Sequence, residues 1–114
     1  MIETYNHLVI KGGFKSAPKN LKILNIVFDQ IINSTGDMVI KPPLEYENEE
    51  QKTMTICLLT KTGYATLFVN NKEIPSGFIL QFFTAKSVDG FNIMKQLNDW
   101  FGLVNGIECK MVKK

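Results

Sequence analysis

The side chains of this chain that could carry chemistry are few, and their types exclude several reaction classes at once. His7 is the single histidine, so no site can use two imidazoles. Zinc centres and Ser-His-Asp triads each need a cluster that one imidazole does not supply. Cys57 and Cys109 lie in apolar, strand-like segments without metal-ligand spacing, and read as small buried core residues rather than as a disulfide. Glu45, Glu47, Glu49 and Glu50 form an acidic run. A hard cation needs convergent oxygens, whereas alternating carboxylates in a loop form a solvated face, so no metal site is expected. The candidate bases are His7, this acidic run and Tyr64.

All 13 basic residues are lysine, and arginine, the bidentate partner of phosphates, carboxylates and guanine edges, is absent. With a net charge of +2 and lysines scattered from Lys11 to Lys114, the chain carries no nucleic-acid footprint. Hydrophobic residues at 45% and charged residues at 21% fit a folded globular chain and not a disordered one. A length of 114 residues accommodates one domain, here 1–114. No apolar run approaches the ~18 residues needed to span a bilayer. Met1-Ile2-Glu3-Thr4 lacks the basic start and apolar core of a signal peptide. Neither nucleic acid nor membrane is expected as a partner, and cytoplasmic residence is expected by default.

The elements that must position these groups are legible from periodicity. His7 to Ile10 reads as a first strand closed by Gly12-Gly13. Leu21 to Ser34 reads as a helix, with Leu24, Val27, Phe28, Ile31 and Ile32 on one face. Asp37 to Lys41 reads as a second strand stopped by Pro42-Pro43, and Glu45 to Lys52 as a polar loop. Met54–Thr60 and Tyr64–Val69 read as strands joined by a tight turn with Gly63 as its left-handed residue. Gly77 to Thr84 is a fifth strand, expected to be central because Phe78, Phe82 and Phe83 put large groups on both faces. Ser87 is expected to cap a second helix with Asp89 in its first turn, and Gly102 to end it. That helix shows an apolar face of Phe91, Met94, Leu97 and Phe101, widened by Ile93 and Trp100. Ile107 to Val112 is a last strand, followed by a frayed Lys113-Lys114 tail.

The stretch Ile56 to Leu97 resembles the core of the bacterial-type S-adenosylmethionine decarboxylases, which cleave their own chain to form a pyruvoyl group. In that family a "VVVIAESH" strand precedes "HTWPE", a strand ending "VFTCGD-VDP", and a helix. Here the corresponding segments are Ile56-Cys57-Leu58-Leu59, the turn Thr60-Lys61-Thr62-Gly63, and Phe83-Thr84-Ala85 followed by Val88-Asp89. Hydrophobic frame and spacing match over residues 5 to 112, and Phe83-Thr84 and Val88-Asp89 are literal remnants. The resemblance implies an α+β, two-layer α/β sandwich: an antiparallel-rich sheet with two helices on one face. It further implies a dimer made by stacking the open sheet faces, with Tyr64, Phe68, Phe78 and Phe82 as candidates for that face and register deciding among them.

Every residue that the resemblance would make catalytic is changed. The pyruvoyl-forming serine falls on Thr62, whose extra methyl crowds attack and whose elimination product would be a ketobutyryl group; Lys61 replaces the preceding glutamate. The neighbouring histidine falls on Gly63, the processing histidine on Leu67, and the proton-donating cysteine on Ala85. The "P-x-G-V-S-G" approach is replaced by Glu50-Gln51-Lys52-Thr53-Met54-Thr55. Nucleophile, two imidazoles and acid are lost together, so no catalytic residue, no pyruvoyl group and no other cofactor is expected. A vestigial pocket is expected around Thr62, Gly63, Leu67, Phe68 and Ala85. An adenosine could stack on Phe68 or Tyr64, but no arginine awaits its aminocarboxylate, so S-adenosylmethionine binding is expected to be weak or absent.

The function so implied is that of a decarboxylase-like pseudoenzyme, a binding or regulatory homologue linked to polyamine or S-adenosylmethionine metabolism. Its partners would be a second copy of itself or an active decarboxylase subunit. The alternatives are an enzyme of different mechanism on the same fold, acting on S-adenosylmethionine or a related nucleoside, and a binding module without a nucleotide ligand.

Overall fold

The computed structural model describes residues 5–40 and 42–113. Asn20 opens the first helix, α1 (Leu21–Ser34): its backbone is extended, and its Oδ1 accepts from the Ile23 amide at 2.9 Å. The stripe Leu24, Val27, Phe28, Ile31 and Ile32 is buried throughout, as the periodicity predicts. Thr35 bonds back to the Ile32 carbonyl, and Gly36, at φ 83°, turns the chain out of the helix. Asp89 caps the second helix, α2 (Gly90–Phe101), accepting from the amides of Phe91 and Asn92. Gly102, at φ 70°, ends it.

Six strands complete the described residues: β1 (Asn6–Phe14), β2 (Leu44–Asn48), β3 (Thr53–Leu59), β4 (Tyr64–Asn70), β5 (Ser76–Thr84) and β6 (Glu108–Lys113). They form one sheet in the order β2-β3-β4-β5-β1-β6 with every pairing antiparallel. The expected α+β two-layer sandwich is therefore correct, and β5 is central as its phenylalanines suggest.

Strand alternation and register sort the side chains into two faces. Leu8, Ile10, Met54, Ile56, Ala65, Leu67, Val69, Phe78, Leu80 and Phe82 turn to the helices and are at most 2% exposed. There Phe28 meets Phe82 edge-on and Phe14 stacks on Phe78 with ring centroids 4.2 Å apart. Leu44, Tyr46, Cys57, Leu59, Tyr64, Thr66, Phe68, Ile79 and Phe83 share the opposite, uncovered face.

Several sequence expectations need correction. β1 does not close at Gly12-Gly13 but pairs with β5 as far as Phe14↔Ser76. Asp37 to Ile40 is not a strand among the described residues: a single bridge links Val39 to Thr60, while Met38 and Ile40 are more than half exposed, and Lys41 lies outside the described residues. Two prolines at 42 and 43, lacking amide donors, prevent that bridge from propagating. The polar segment after them is a strand, β2, because β3 supplies its ladder and an edge position lets its carboxylates stay solvated. In α2 the buried residues are Ile93, Leu97 and Phe101; Phe91 and Trp100 are exposed, and Asp89 rather than Ser87 is the cap. Both thiols are free, but neither is fully buried: Cys57 is half-buried and Cys109 exposed. Lys114, half of the expected frayed tail, lies outside the described residues, and Lys113 belongs to β6.

Candidate functional site

Three segments distant in sequence converge at one end of the sheet: the loop after α1 brings Asp37, the β3–β4 turn brings Thr60, Thr62 and Gly63, and the end of β5 brings Thr84 and Ala85. The Thr62 hydroxyl donates to Asp37 Oδ2 at 2.7 Å, and the Thr84 hydroxyl reaches the same oxygen at 2.9 Å. Thr62 Oγ1 and Thr84 Oγ1 are themselves 2.8 Å apart. Two protons thus serve a triangle of three oxygens. The other carboxylate oxygen of Asp37 accepts from the Met38 amide at 2.8 Å. Thr62 Oγ1 accepts from the Ala85 amide, Thr84 Oγ1 from the Lys86 amide, and Thr60 Oγ1 from the Gly63 amide. Asp37, Thr60 and Thr84 are each no more than 6% exposed.

Burial by itself pushes the Asp37 carboxyl up, but donors from Thr62, the Met38 amide, Thr60 and Thr84 outweigh it and hold the group below its ordinary value of 3.8. A carboxylate so well supplied with donors is a weak base. It fixes the Thr62 hydroxyl without activating it, since general-base efficiency needs a pKa near the working pH. His7, the one imidazole, is engaged elsewhere: its Nε2 lies 3.4 Å from Gln81 Oε1, and its ring meets Phe83 edge-on.

Gly63 is required for closeness rather than handedness. It is not among the positive-φ residues, so the expected left-handed turn is incorrect. Instead a Cβ there would fall inside the carbonyl of Phe83, on the strand paired with β4. The site therefore has no room for any side chain where the resemblance puts a histidine.

The expected pocket of Thr62, Gly63, Leu67, Phe68 and Ala85 is only partly assembled. Thr62, Gly63 and Ala85 do come together. Leu67 is fully buried under the helices, paired with Ile56 and Leu80, and Phe68 looks out from the opposite face further along β4. Strand alternation forces that split, because adjacent residues on a strand point to opposite faces. Of the four aromatic candidates for a partner face, Tyr64 and Phe68 lie on the uncovered face, whereas Phe78 and Phe82 belong to the core. The sequence reading missed Asp37, Thr60 and Thr84. The one signal for them was a lone Asp directly after the helix-ending Gly36, and no local pattern ties it to residues 25 and 47 positions away.

The uncovered face beside this end of the sheet is aromatic. Phe83 is sandwiched between Tyr5 and Tyr64, with ring centroids 5.0 and 5.6 Å away. Next to it lies a concavity of about 470 Å³ walled by Leu44, Cys57, Leu59, Tyr64 and Thr66, with no charged residue in its lining among the described residues. Among the described residues no group of His, Cys, Asp and Glu could hold a metal ion, and no helix is long and apolar enough to cross a membrane.

No protein-family model and no curated protein matches this sequence. Among solved structures, the chain is similar to the adenosylmethionine decarboxylase of Aquifex aeolicus VF5, with a TM-score of 0.73 at 10% identity over 97% of this chain and 91% of that one. Identity so low speaks for architecture alone. The chain has the adenosylmethionine decarboxylase-like fold.

Proposed function

We propose that this chain is a non-processing, non-decarboxylating relative of the adenosylmethionine decarboxylases, a pseudoenzyme that acts by binding through the uncovered face of its sheet. One observation carries the reading. At the position of the self-cleaving serine, the Thr62 hydroxyl is held by an ionised Asp37 and by Thr84, and the adjacent Gly63 leaves no space for an imidazole. Ala85, at the position of the proton donor, contributes only its amide. The partner in this reading is a second copy, stacked over Tyr64, Phe68 and Phe83, or an active decarboxylase subunit presenting the same kind of face. Exposed apolar groups across that face, among them Leu44 at 74%, Tyr46 at 64% and Leu59 at 51%, support an interaction role. Through such pairing the protein would regulate polyamine or S-adenosylmethionine metabolism without carrying a pyruvoyl group.

Intact-mass measurement of the purified protein tests the chemistry. A single uncleaved species is expected. Two fragments meeting at Lys61/Thr62, with a ketobutyryl group on the second, would overturn the reading.

A further inference from the structure

Asparagine before glycine is the pair in which a side-chain amide most readily reacts with its own backbone, because glycine leaves the next amide nitrogen unhindered. The chain has one such pair, Asn105-Gly106, in the connection between α2 and β6. The hydrogen bonds that fix this connection stop short of it. Gly102 donates to the Asn98 carbonyl, Leu103 to Asn98 Oδ1, and Val104 to the Gly13 carbonyl at 3.1 Å. Beyond the pair, Ile107 packs against Gly12, and the ladder to β1 begins at Glu108 opposite Lys11. Between these anchors Asn105 and Gly106 are exposed. Neither the Gly106 amide nor the Asn105 side chain has a hydrogen-bond partner among the described residues. Gly106 sits at φ 91°, with open space where a side chain would stand.

The other groups capable of this chemistry are held. Of the ten asparagines, the remaining nine either lie within α1 or α2 or use their side chains in hydrogen bonds. Asn70 Oδ1, for example, accepts from the Lys72 amide, and Asn71 Nδ2 donates to the Pro18 carbonyl. None of the nine precedes a glycine. Asp89-Gly90 is the corresponding aspartate pair, and the helix cap restrains it. Asp89 Oδ1 accepts from the amides of Phe91 and Asn92, which commits the carboxylate to the start of α2.

We infer that Asn105-Gly106 is a site of spontaneous covalent modification, converting through a succinimide to isoaspartate and aspartate, and that the isoaspartate loosens edge strand β6. The Gly106 nitrogen attacks Asn105 Cγ. The bond from Cγ to the side-chain nitrogen breaks, and ammonia leaves with the proton given up by the Gly106 amide. Water then opens the ring. Addition at Cγ restores the chain as aspartate, whereas addition at the main-chain carbonyl of residue 105 routes the backbone through Cβ and Cγ and leaves isoaspartate. Either product exchanges a neutral amide for a carboxylate. The isoaspartate also lengthens the backbone by a methylene between the Val104 and Ile107 anchors. Val104 is tied to β1, so the added length displaces Ile107 from Gly12 and the first rungs of the β1–β6 ladder with it. β6 pairs with β1 alone among the described residues, and no second neighbour resists that opening.

Prolonged incubation of the purified full chain at mildly alkaline pH, followed by intact mass and peptide mapping, tests the chemistry. The wild type should gain about 1 Da, carried by the peptide that contains residues 105 and 106, with isoaspartate as one product. Asp89 should stay unisomerised. Asn105→Gln should lose the gain, because its longer side chain would have to close a six-membered ring, and it should melt like fresh wild type. Hydrogen exchange tests the consequence. In the isoaspartate form, separated by ion exchange, the amides of residues 108–113 should exchange about threefold faster or more than in fresh protein, while those of α1 are unchanged. No mass gain in the wild type, a gain that persists undiminished in Asn105→Gln, or unaltered exchange of β6 in the isoaspartate form would each overturn the inference.

Discussion

Replacing Asp37 by alanine removes the acceptor shared by the hydroxyls of half-buried Thr62 and buried Thr84 and by the Met38 amide. The two threonines, 2.8 Å apart, can still bond one another, so a single hydroxyl proton and one partly buried amide lose their partner. At ~1–3 kcal/mol for a buried donor left unpaired, and less for the amide that water can reach, the loss is about 2–3 kcal/mol. Unfolding entropy near ~2.1 cal/mol/K per residue makes each kcal/mol worth about 4 °C in a chain of this length, so Tm should fall by about 8–12 °C. The pH dependence follows from the same donors. Because the folded Asp37 sits below its ordinary 3.8, the unfolded chain binds this proton more readily. The stabilisation is complete above the ordinary value and is lost as pH falls through the lower folded one. Thermal melts followed by circular dichroism from pH 7 down to pH 3 should show the gap in Tm between wild type and Asp37→Ala narrowing toward the acid end. A variant melting within about 1 °C of wild type at pH 7, or a gap between the two that does not narrow in acid, would refute the account of this network.

Gly63→Ala places a methyl group against the Phe83 carbonyl and should cost ~1–3 kcal/mol by overpacking, read as a lowered urea midpoint with an unchanged m-value. Asp89→Ala removes the cap of α2 and should cost ~1 kcal/mol, whereas Ser87→Ala should be neutral within ~0.5 kcal/mol; equal effects in thermal melts would mean that the cap is misassigned. Phe68→Lys puts a charge on the uncovered face and should convert a sedimenting dimer into a folded monomer. A wild type that sediments as a monomer at micromolar concentration would sink the face-to-face partner.

The local elements were legible in the order of the residues. The stripe from Leu24 to Ile32 set α1 to the residue, since helical burial depends on a spacing that a short window contains. Alternation placed β3, β4 and β5 within a residue or so at either end, and showed from Phe78, Phe82 and Phe83 that β5 is central. The frame shared with the decarboxylases was legible at this level too, because the order and spacing of apolar segments is itself a sequence property.

What required the tertiary structure was whatever depends on a neighbour. β2 is polar and acidic and becomes a strand only because β3 supplies hydrogen bonds at an edge where charges stay wet, while Asp37–Ile40, more strand-like in composition, makes a single bridge. Face assignment behaved likewise: the pairing of β4 with β5 put Phe78 and Phe82 in the core and left Tyr64 and Phe68 outside, and it separated Leu67 from Thr62. Asp37, Thr62 and Thr84 meet across 25 and 47 residues of chain, and Gly63 owes its lack of a side chain to a carbonyl on another strand. Periodicity reports which side of an element is buried, but not which element it meets there, and the contacts at this site are all of the second kind.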